Sequence, residues 1–213
     1  MKIKWLGHAS FLIKSGGKNL YIDPYAGEYT EKADLILVSH DHGDHCALGK
    51  IHQIVKPNTI ILTSLNAAEK VHGVGVEVIP LEPGKVREYK GFKVQGVEAY
   101  NIHRFRFPGT PFHPKGTQVG FVVEAEGKRL YHAGDTDLLS SMEELGSVDV
   151  AMIPVGGTYT MDLPEAAEAV LSIKPKMVLP MHRREVKVEE LKKLVEKSDA
   201  KLVVLKEGEE LEL

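Results

Sequence analysis

The sequence predicts an α/β protein in which two β-sheets pack against each other and helices cover their outer faces. Each half of the chain has a β-hairpin followed by strand and helix units, an order that favours a layered core. Two runs, Asp34–Ser39 and Asp149–Pro154, are almost continuously apolar. Such runs are typical of strands buried on both faces.

The elements of the first half follow from apolar runs and turn residues. Phe11–Lys14 and Asn19–Asp23 flank a Ser-Gly-Gly-Lys turn, which predicts a hairpin. Helices are predicted at Ala47–Val55 and at Ser64–Val71, the second with Ser64 as its N-cap. The other predicted strands of this half are Asp34–Ser39, Thr59–Leu62, Val76–Ile79, Lys85–Tyr89 and Phe92–Ala99.

The second half begins with a predicted loop, Tyr100–Gly116, and its best-defined element is a helix at Leu163–Ile173. Apolar residues at 163, 166, 167, 170 and 171 give this helix one face for the core. Asp162 and Glu165 resemble a capping box. The other predicted elements are strands at Gln118–Glu124, Lys128–Ala133, Asp149–Pro154, Lys176–Leu179 and Leu202–Leu205, and a helix at Val188–Lys197.

The composition is that of an ordinary folded protein with an excess of histidine. The chain has 213 residues, a formal net charge of -3, one cysteine and ten histidines. A chain of this mass buries about 70% of its unfolded surface, which suffices for one domain over residues 1–213. The single Cys46 excludes an internal disulfide and a multi-cysteine metal cluster. The slight acidity gives no strong signature of nucleic-acid binding.

The sequence contains no recognisable export signal or membrane span. The opening residues lack a continuous apolar run behind their two lysines. No apolar segment approaches the ~20 residues that cross a bilayer. We therefore expect a cytoplasmic protein without a membrane span, and leave open whether it forms a homo-oligomer.

The strongest chemical signal is the segment SHDHGDH, which follows the buried strand ending at Val38. In an extended segment His40 and His42 point to the same side, so both imidazoles can bind one metal ion. Gly43 allows a sharp turn, after which Asp44 and His45 can reach a second metal. Three histidines and two aspartates in six positions therefore predict a metal site.

One motif supplies too few ligands for two metals, so others must come from elsewhere in the chain. Asp135 ends the predicted strand Lys128–Ala133, and its two oxygens can bridge two cations. His182 follows another apolar strand. Alone, these residues read as a turn aspartate and a surface histidine, but the SHDHGDH segment makes them candidate ligands.

These motifs together resemble the metallo-β-lactamase-fold hydrolases over nearly the whole chain. The resemblance is carried by His40-x-His42-x-Asp44-His45, Gly134-Asp135-Thr136 and the strand-end His182. Gly7-His8-Ala9-Ser10, Tyr21-Ile22-Asp23-Pro24 and Tyr131–Asp137 are similar to a branch that includes ascorbate-6-phosphate lactonase and N-acyl-phosphatidylethanolamine phospholipase D. The resemblance implies a four-layer αββα sandwich with a dinuclear site at one edge. By position it assigns His40 and His42 to the first metal, Asp44, His45 and His182 to the second, and Asp135 to both.

The third metal motif departs from the family pattern. The family usually has a histidine after the strand that corresponds to Phe92–Ala99, and this chain has Asn101 there. His113 is the favoured substitute because a rigid turn follows it, and His103 is a second candidate. The sequence leaves open whether His113, His103, Asn101 itself, His8 or no histidine completes the first site.

Further residues are candidates for supporting roles. His8 could donate a proton, contact substrate, bind metal or simply be a buried histidine, and the family places Asp44 to orient the attacking water as well as to bind metal. Asp23 is expected to hold a ligand imidazole by its other nitrogen, and Cys46 to pack in the core. The segment Arg104–Phe107 could grip an anionic substrate or cover the site.

The resemblance implies hydrolysis assisted by two divalent metal ions. Such a pair lowers the pKa of a shared water and polarises the scissile group. Imidazole and carboxylate ligands suit zinc or manganese best, with nickel and iron as further options. We expect a small-molecule or nucleotide-like anionic substrate that is a phosphodiester, lactone or other ester. The alternative is a regulatory or scaffold module that binds metal with little catalysis.

Overall fold

The computed structural model describes residues 1–213 and consists mainly of two seven-stranded β-sheets with helices on their outer faces. The α/β sandwich expected from the sequence is therefore confirmed. None of the helices is both long enough and apolar enough to cross a bilayer.

The chain forms sixteen strands and four α-helices. The strands up to residue 97 are β1 (Lys2–Gly7), β2 (Ser10–Ser15), β3 (Lys18–Ile22), β4 (Leu35–Val38), β5 (Ile60–Thr63), β6 (Glu77–Pro80), β7 (Val86–Tyr89) and β8 (Phe92–Val97). The later strands are β9 (Phe105–Phe107), β10 (Thr110–Pro111), β11 (Gly120–Ala125), β12 (Lys128–His132), β13 (Val150–Pro154), β14 (Met177–Met181), β15 (Lys201–Leu202) and β16 (Glu210–Glu212). The α-helices are α1 (Leu48–Ile54), α2 (Leu65–Val71), α3 (Leu163–Ile173) and α4 (Glu189–Leu194).

The two sheets have matching topologies, each half antiparallel and half parallel. The first has the strand order β16-β1-β2-β3-β4-β5-β6 and the second β15-β14-β13-β12-β11-β8-β7. Strands β3 to β6 are parallel in the first sheet, as are β12 to β15 in the second. The segments that follow β4, β12 and β14 meet at one edge of the sandwich, which is where α/β sheets commonly place their sites.

Strand β4 shows how the layers are held together. Its four residues are all fully buried, as the continuous apolar run predicts. Leu35 and Leu37 belong to the large core between the sheets, whereas Ile36 and Val38 belong to a second core. That second core contains Ile51 of α1 and further residues of α2. The period-2 alternation of a strand therefore joins the sheet core to the helical layer.

Helix α3 begins and ends where its sequence predicts. The Asp162 side chain accepts a hydrogen bond from the Glu165 amide, and the Glu165 carboxylate accepts one from the Asp162 amide. Ala166 and Val170 are buried, but Leu171 is 41% exposed. The apolar face is therefore narrower than expected, because Leu171 lies at its edge.

Some boundaries differ from the sequence-based prediction. Helix α4 ends at Leu194 and is followed by turns, whereas the sequence predicts a helix to Lys197. Strand β15 is only two residues long and ends at Leu202, where the predicted strand begins. The predicted loop Tyr100–Gly116 contains the small β9–β10 hairpin, whose turn includes Pro108 and Gly109. The edge strand β16 has no local signal, because its pairing with β1 joins residues about two hundred positions apart.

The cap of α3 provides a test of the fold. We expect Asp162→Ala to lower the free energy of unfolding by about 1 kcal/mol, because the Glu165 amide loses its acceptor. Asp162→Ser keeps a capping oxygen and is the matched control. Urea denaturation measures the free energy of unfolding of both variants. An equal decrease in Asp162→Ala and Asp162→Ser would contradict a stabilising role for the capping oxygen.

Candidate metal centre

Three histidines converge on one point at the edge of the sandwich. His40 and His42 lie in the segment after β4, and His113 follows β10. The His42 Nδ1 atom is 3.1 Å from His40 Nε2 and 3.2 Å from His113 Nε2. This arrangement of three imidazole nitrogens is suited to one metal ion.

Asn101 positions His113, which explains how a chain with asparagine at the family's histidine position still has three imidazoles here. The Asn101 Oδ1 atom accepts hydrogen bonds from the His113 amide at 2.9 Å and from His113 Nδ1 at 2.8 Å. The Asn101 amide group donates to Asp137 Oδ1 and to the Tyr159 carbonyl. His103, the other sequence candidate, is exposed and belongs to none of the groups that could hold a metal.

A second group of candidate ligands lies beside the first. It contains four residues whose nitrogen and oxygen atoms lie within 4.8 Å of one another: His8, Asp44, His45 and His182. His8 Nε2 is 3.3 Å from Asp44 Oδ2. The His8 ring lies 4.0 Å from the His182 ring, measured between centroids. The structure therefore brings His8 into the group whose other three members were assigned to the second metal from the sequence.

Asp135 lies between the two groups. Its Oδ1 atom is 3.3 Å from His45 Nε2, and its Oδ2 atom is 3.3 Å from His182 Nε2. The same Oδ2 atom is 3.5 Å from His113 Nε2. A single buried carboxylate therefore approaches members of both groups, as a bridging ligand must.

Asp23 and Ser39 support the imidazoles from behind. Asp23 accepts hydrogen bonds from the amide and hydroxyl of Ser39, both at 2.7 Å, and from His45 Nδ1 at 2.8 Å. The Ser39 hydroxyl is also 2.9 Å from His40 Nδ1. Because their Nδ1 atoms are engaged, His45 and His40 keep Nε2 free for a metal. The contact between Asp23 and an imidazole is the one expected from the sequence.

Three site residues have backbone conformations that side chains disfavour. The φ angles are 52° at His8, 46° at Asp23 and 48° at His182. The His8 carbonyl accepts hydrogen bonds from the Trp5 indole and the His182 amide, both at 3.0 Å. The Arg183 guanidinium stacks 3.9 Å from the centre of the Trp5 ring. These contacts hold the strained segments in place.

Among the candidate ligands, buried nitrogen and oxygen atoms without hydrogen-bond partners show that the residues fit metal ions. They are His45 Nε2, Asp135 Oδ1 and His182 Nδ1. Leaving such atoms unpaired is costly, whereas coordination by a cation satisfies them. All of these unpaired atoms are nitrogen or oxygen atoms. The buried Cys46 thiol is not among them, because Cys46 packs in the second core.

The pKa shifts differ between the two groups of candidate ligands. Burial lowers the pKa of His113 to about 4 and that of His40 well below its usual range, so both rings are neutral at pH 7. Burial opposes charge on His45 too, but Asp135 and Asp23 outweigh it and raise the pKa of His45. Burial raises the pKa of Asp135, yet His45 and His182 hold it well below its usual range. The position between the two groups is therefore occupied by an ionised carboxylate.

Members of both groups, namely His42, His113, Asp44 and His182, line an open cavity of about 560 Å³ together with Asp135. The buried residues Asp135, His113 and His182 form its floor, and the exposed residues Arg106 and Arg184 form its rim. Five residues without metal-binding groups complete the lining: Gly43, Arg106, Phe112, Tyr159 and Arg184. The size suits a small molecule, and the mixed lining offers both charge and aromatic surface.

The structure separates the two arginines of the segment Arg104–Phe107. Arg104 forms ion pairs with Asp137 at 2.7 Å and with Glu165, and it donates to the Gly157 carbonyl. Arg104 is held in these ion pairs and does not line the cavity. Arg106 lines the cavity.

Other histidines lie apart from the candidate ligands, and some site residues have no sequence signal. His132 is buried and its Nε2 lies 3.0 Å from the Ala9 carbonyl, while His52 and His72 are exposed. Sequence reasoning missed Tyr159, which reaches the cavity through the loop between β13 and α3, and Arg184, which lies two residues after His182 but has no signal of its own. It also missed Gly156, where an added Cβ would lie 2.6 Å from the His182 carbonyl oxygen.

The fold and the paired His/Asp groups define a metal-dependent class of protein. The profile of the family described as "Beta-lactamase superfamily domain" matches residues 2–182. The chain therefore belongs to the β-lactamase superfamily. Within it, the chain is 39% identical to a UPF0173 metal-dependent hydrolase of Pyrococcus abyssi and 36% identical to one of Pelotomaculum thermopropionicum, each match covering 100% of both chains.

Solved structures agree with this assignment. A metallo hydrolase of Ignicoccus hospitalis superposes with a TM-score of 0.81 at 27% identity, covering 99% of this chain and 97% of the other. A candidate metal-dependent hydrolase of Parabacteroides distasonis gives a TM-score of 0.87 at 29% identity, covering 97% and 93%. A diiron β-hydroxylase of Streptomyces venezuelae shares only the fold, at 15% identity over 54% of its chain with a TM-score of 0.77.

The role of Asn101 is open to a direct test. We expect Asn101→Ala to weaken zinc binding at the group containing His113 by about 10- to 100-fold, because the ring loses its Nδ1 partner. Competition with a chromophoric chelator measures the affinity, and circular dichroism checks the fold. His103→Ala is the control and should bind zinc as the parent does. Equal affinities in Asn101→Ala and the parent would contradict this role.

Gly156 allows a second test, because it lies against His182. In Gly156→Ala the new methyl carbon would lie 3.0 Å from His182 Nδ1 as well as close to its carbonyl, so the ring must move. We expect at least a tenfold loss of metal affinity at the group that contains His182, and a lower melting temperature. Gly49→Ala, in open space on α1, is the control and should be neutral or stabilising. Unchanged metal binding in Gly156→Ala would contradict the argument.

Proposed function

We propose that this chain is a hydrolase that uses a dinuclear metal site to cleave a phosphodiester, a lactone or another ester. The observation that carries the proposal is the ionised Asp135 carboxylate between two groups of imidazole and carboxylate ligands on the floor of an open cavity. Membership of a family whose relatives are named metal-dependent hydrolases supports it. We favour phosphodiester cleavage over lactone cleavage.

The residues divide between two proposed metal positions. The first takes three imidazoles, from His40, His42 and His113. The second takes three side chains, from Asp44, His45 and His182, and Asp135 contributes to both. When bound, the metal ions supply Lewis acidity, which polarises the scissile group and lowers the pKa of water. Zinc and manganese are the proposed occupants, and the donor set also suits nickel and iron.

Asp44 and His8 are proposed to handle protons. Burial raises the pKa of Asp44, but its contact with His8 outweighs this and leaves the pKa well below the usual range. Asp44 is therefore ionised and can orient the attacking water. Burial lowers the pKa of His8, so its ring is neutral at pH 7 and must gain a proton before donating one. We assign His8 Nε2 a proton relay, in which it would take from Asp44, 3.3 Å away, the proton that the attacking water releases and pass it to the leaving group.

Metal reconstitution tests the proposal. Chain stripped with a chelator is reloaded with zinc or manganese, and metal content is measured together with hydrolysis of bis(p-nitrophenyl) phosphate, p-nitrophenyl esters and lactones. We expect about two metals per chain, with turnover abolished in His42→Ala and Asp135→Ala. His52→Ala changes an exposed histidine outside the site and serves as the control. Full loading without turnover on any substrate would favour the alternative, a metal-binding regulatory or scaffold module.

The role of His8 is distinguished by comparing metal content with rate. We expect His8→Gln to bind about two metals and to lose at least tenfold in kcat, because a proton donor has been removed. The pH–rate profile of the parent should contain a limb that reports the proton donor, and that limb should be absent from the profile of His8→Gln. A metal content near one per chain in His8→Gln would instead identify His8 as a ligand.

A further inference from the structure

Two arginines at the cavity have charges that no acidic side chain neutralises. Arg106 lies on β9, and Arg184 lies in the turn two residues after His182. Neither forms an ion pair within 4.0 Å, whereas Arg104 contacts both Asp137 and Glu165. Arg106 and Arg184 therefore carry two positive charges that remain available to a ligand in the cavity.

An aromatic pair supports both guanidinium groups. The Arg106 guanidinium lies 5.7 Å from the centre of the Phe112 ring, and that of Arg184 lies 5.1 Å from the centre of the Tyr159 ring. The two rings contact each other edge to face, 4.7 Å apart and at 85°. Contact with an aromatic ring restrains a guanidinium while its N–H edges remain free to donate.

The same residues are connected to the metal-binding segments. Phe112 immediately precedes His113, and the Tyr159 carbonyl accepts a hydrogen bond from Asn101, which holds His113. The Arg184 side chain passes close to Gly156, where an added Cβ would lie 3.3 Å from Arg184 Cδ. The aromatic residues that contact the guanidiniums are thus connected to the floor of the cavity.

We propose that Arg106 and Arg184 bind an oxyanion of the substrate that is separate from the bond being cleaved. The inference rests on the proposed function, because it assumes that the scissile group lies at Asp135 and the metal positions. The substrate class is then an ester, lactone or phosphodiester with an additional carboxylate or phosphate. Guanidinium recognises both groups through paired N–H donors. The two arginines determine specificity and take no part in the proton transfers.

A matched pair of esters tests this inference on the metal-loaded protein. The p-nitrophenyl ester of adipic acid is compared with the same ester whose distal carboxyl group is methylated, after subtraction of the uncatalysed rates. We expect the parent to prefer the anionic ester in kcat/KM, mainly through KM. Arg106→Gln and Arg184→Gln should each lower that preference about tenfold, whereas Arg87→Gln, an equal charge change on the distant strand β7, should retain it.

The ratio of the kcat/KM values for the two esters distinguishes loss of anion binding from damage to the fold. Damage to the fold lowers both kcat/KM values and leaves their ratio unchanged. An unchanged ratio in both variants, or an equal fall in Arg87→Gln, would overturn the inference. If the parent hydrolyses neither ester, the proposed function fails for this class, and calorimetry with phenyl phosphate decides the inference instead. Binding about tenfold weaker in Arg106→Gln and Arg184→Gln than in Arg87→Gln supports it, and equal binding overturns it.

Discussion

The site depends on one buried carboxylate surrounded by imidazoles. Asp135 is 2% exposed, and burying its charge alone would cost several kcal/mol. His45 and His182, each 3.3 Å away, hold it in the ionised form. In turn, Asp23 and Asp135 stabilise a positive charge on His45. Burial alone would favour the neutral form of that ring. The neighbouring imidazoles therefore stabilise the charge of Asp135, and that charge makes the cluster able to hold cations.

Both sheets are needed to assemble this arrangement. Strand β4 of the first sheet leads to His40 and His42, and strands β12 and β14 of the second lead to Asp135 and His182. Left-handed conformations at His8, Asp23 and His182 cost roughly 1–3 kcal/mol each. The large core between the sheets stabilises the edge on which that strain is concentrated. The site is thus strained locally, while the sandwich around it is well packed.

The parts of the structure that were predictable from the sequence are those fixed by local chemistry. The buried strand β4, the cap of α3 and the SHDHGDH segment each carry their signal within a few residues. Asn101 and His113 are twelve positions apart, and their contact depends on how the intervening loop folds. Arg104 and Arg106 have identical side chains two residues apart, and only Asp137 and Glu165, contributed by distant segments, make one structural and leave the other free.

The cavity therefore has a floor and a rim with different chemical tasks. Its floor is built from groups that suit cations and hold protons, which favours a reaction class without selecting a substrate. The rim contributes two guanidiniums held on aromatic rings, and its chemistry is complementary to an anion. A diiron β-hydroxylase has the same fold, so the sandwich alone does not determine the reaction. The proposal accordingly assigns substrate choice to Arg106 and Arg184, neither of which forms an ion pair with an acidic side chain of the protein.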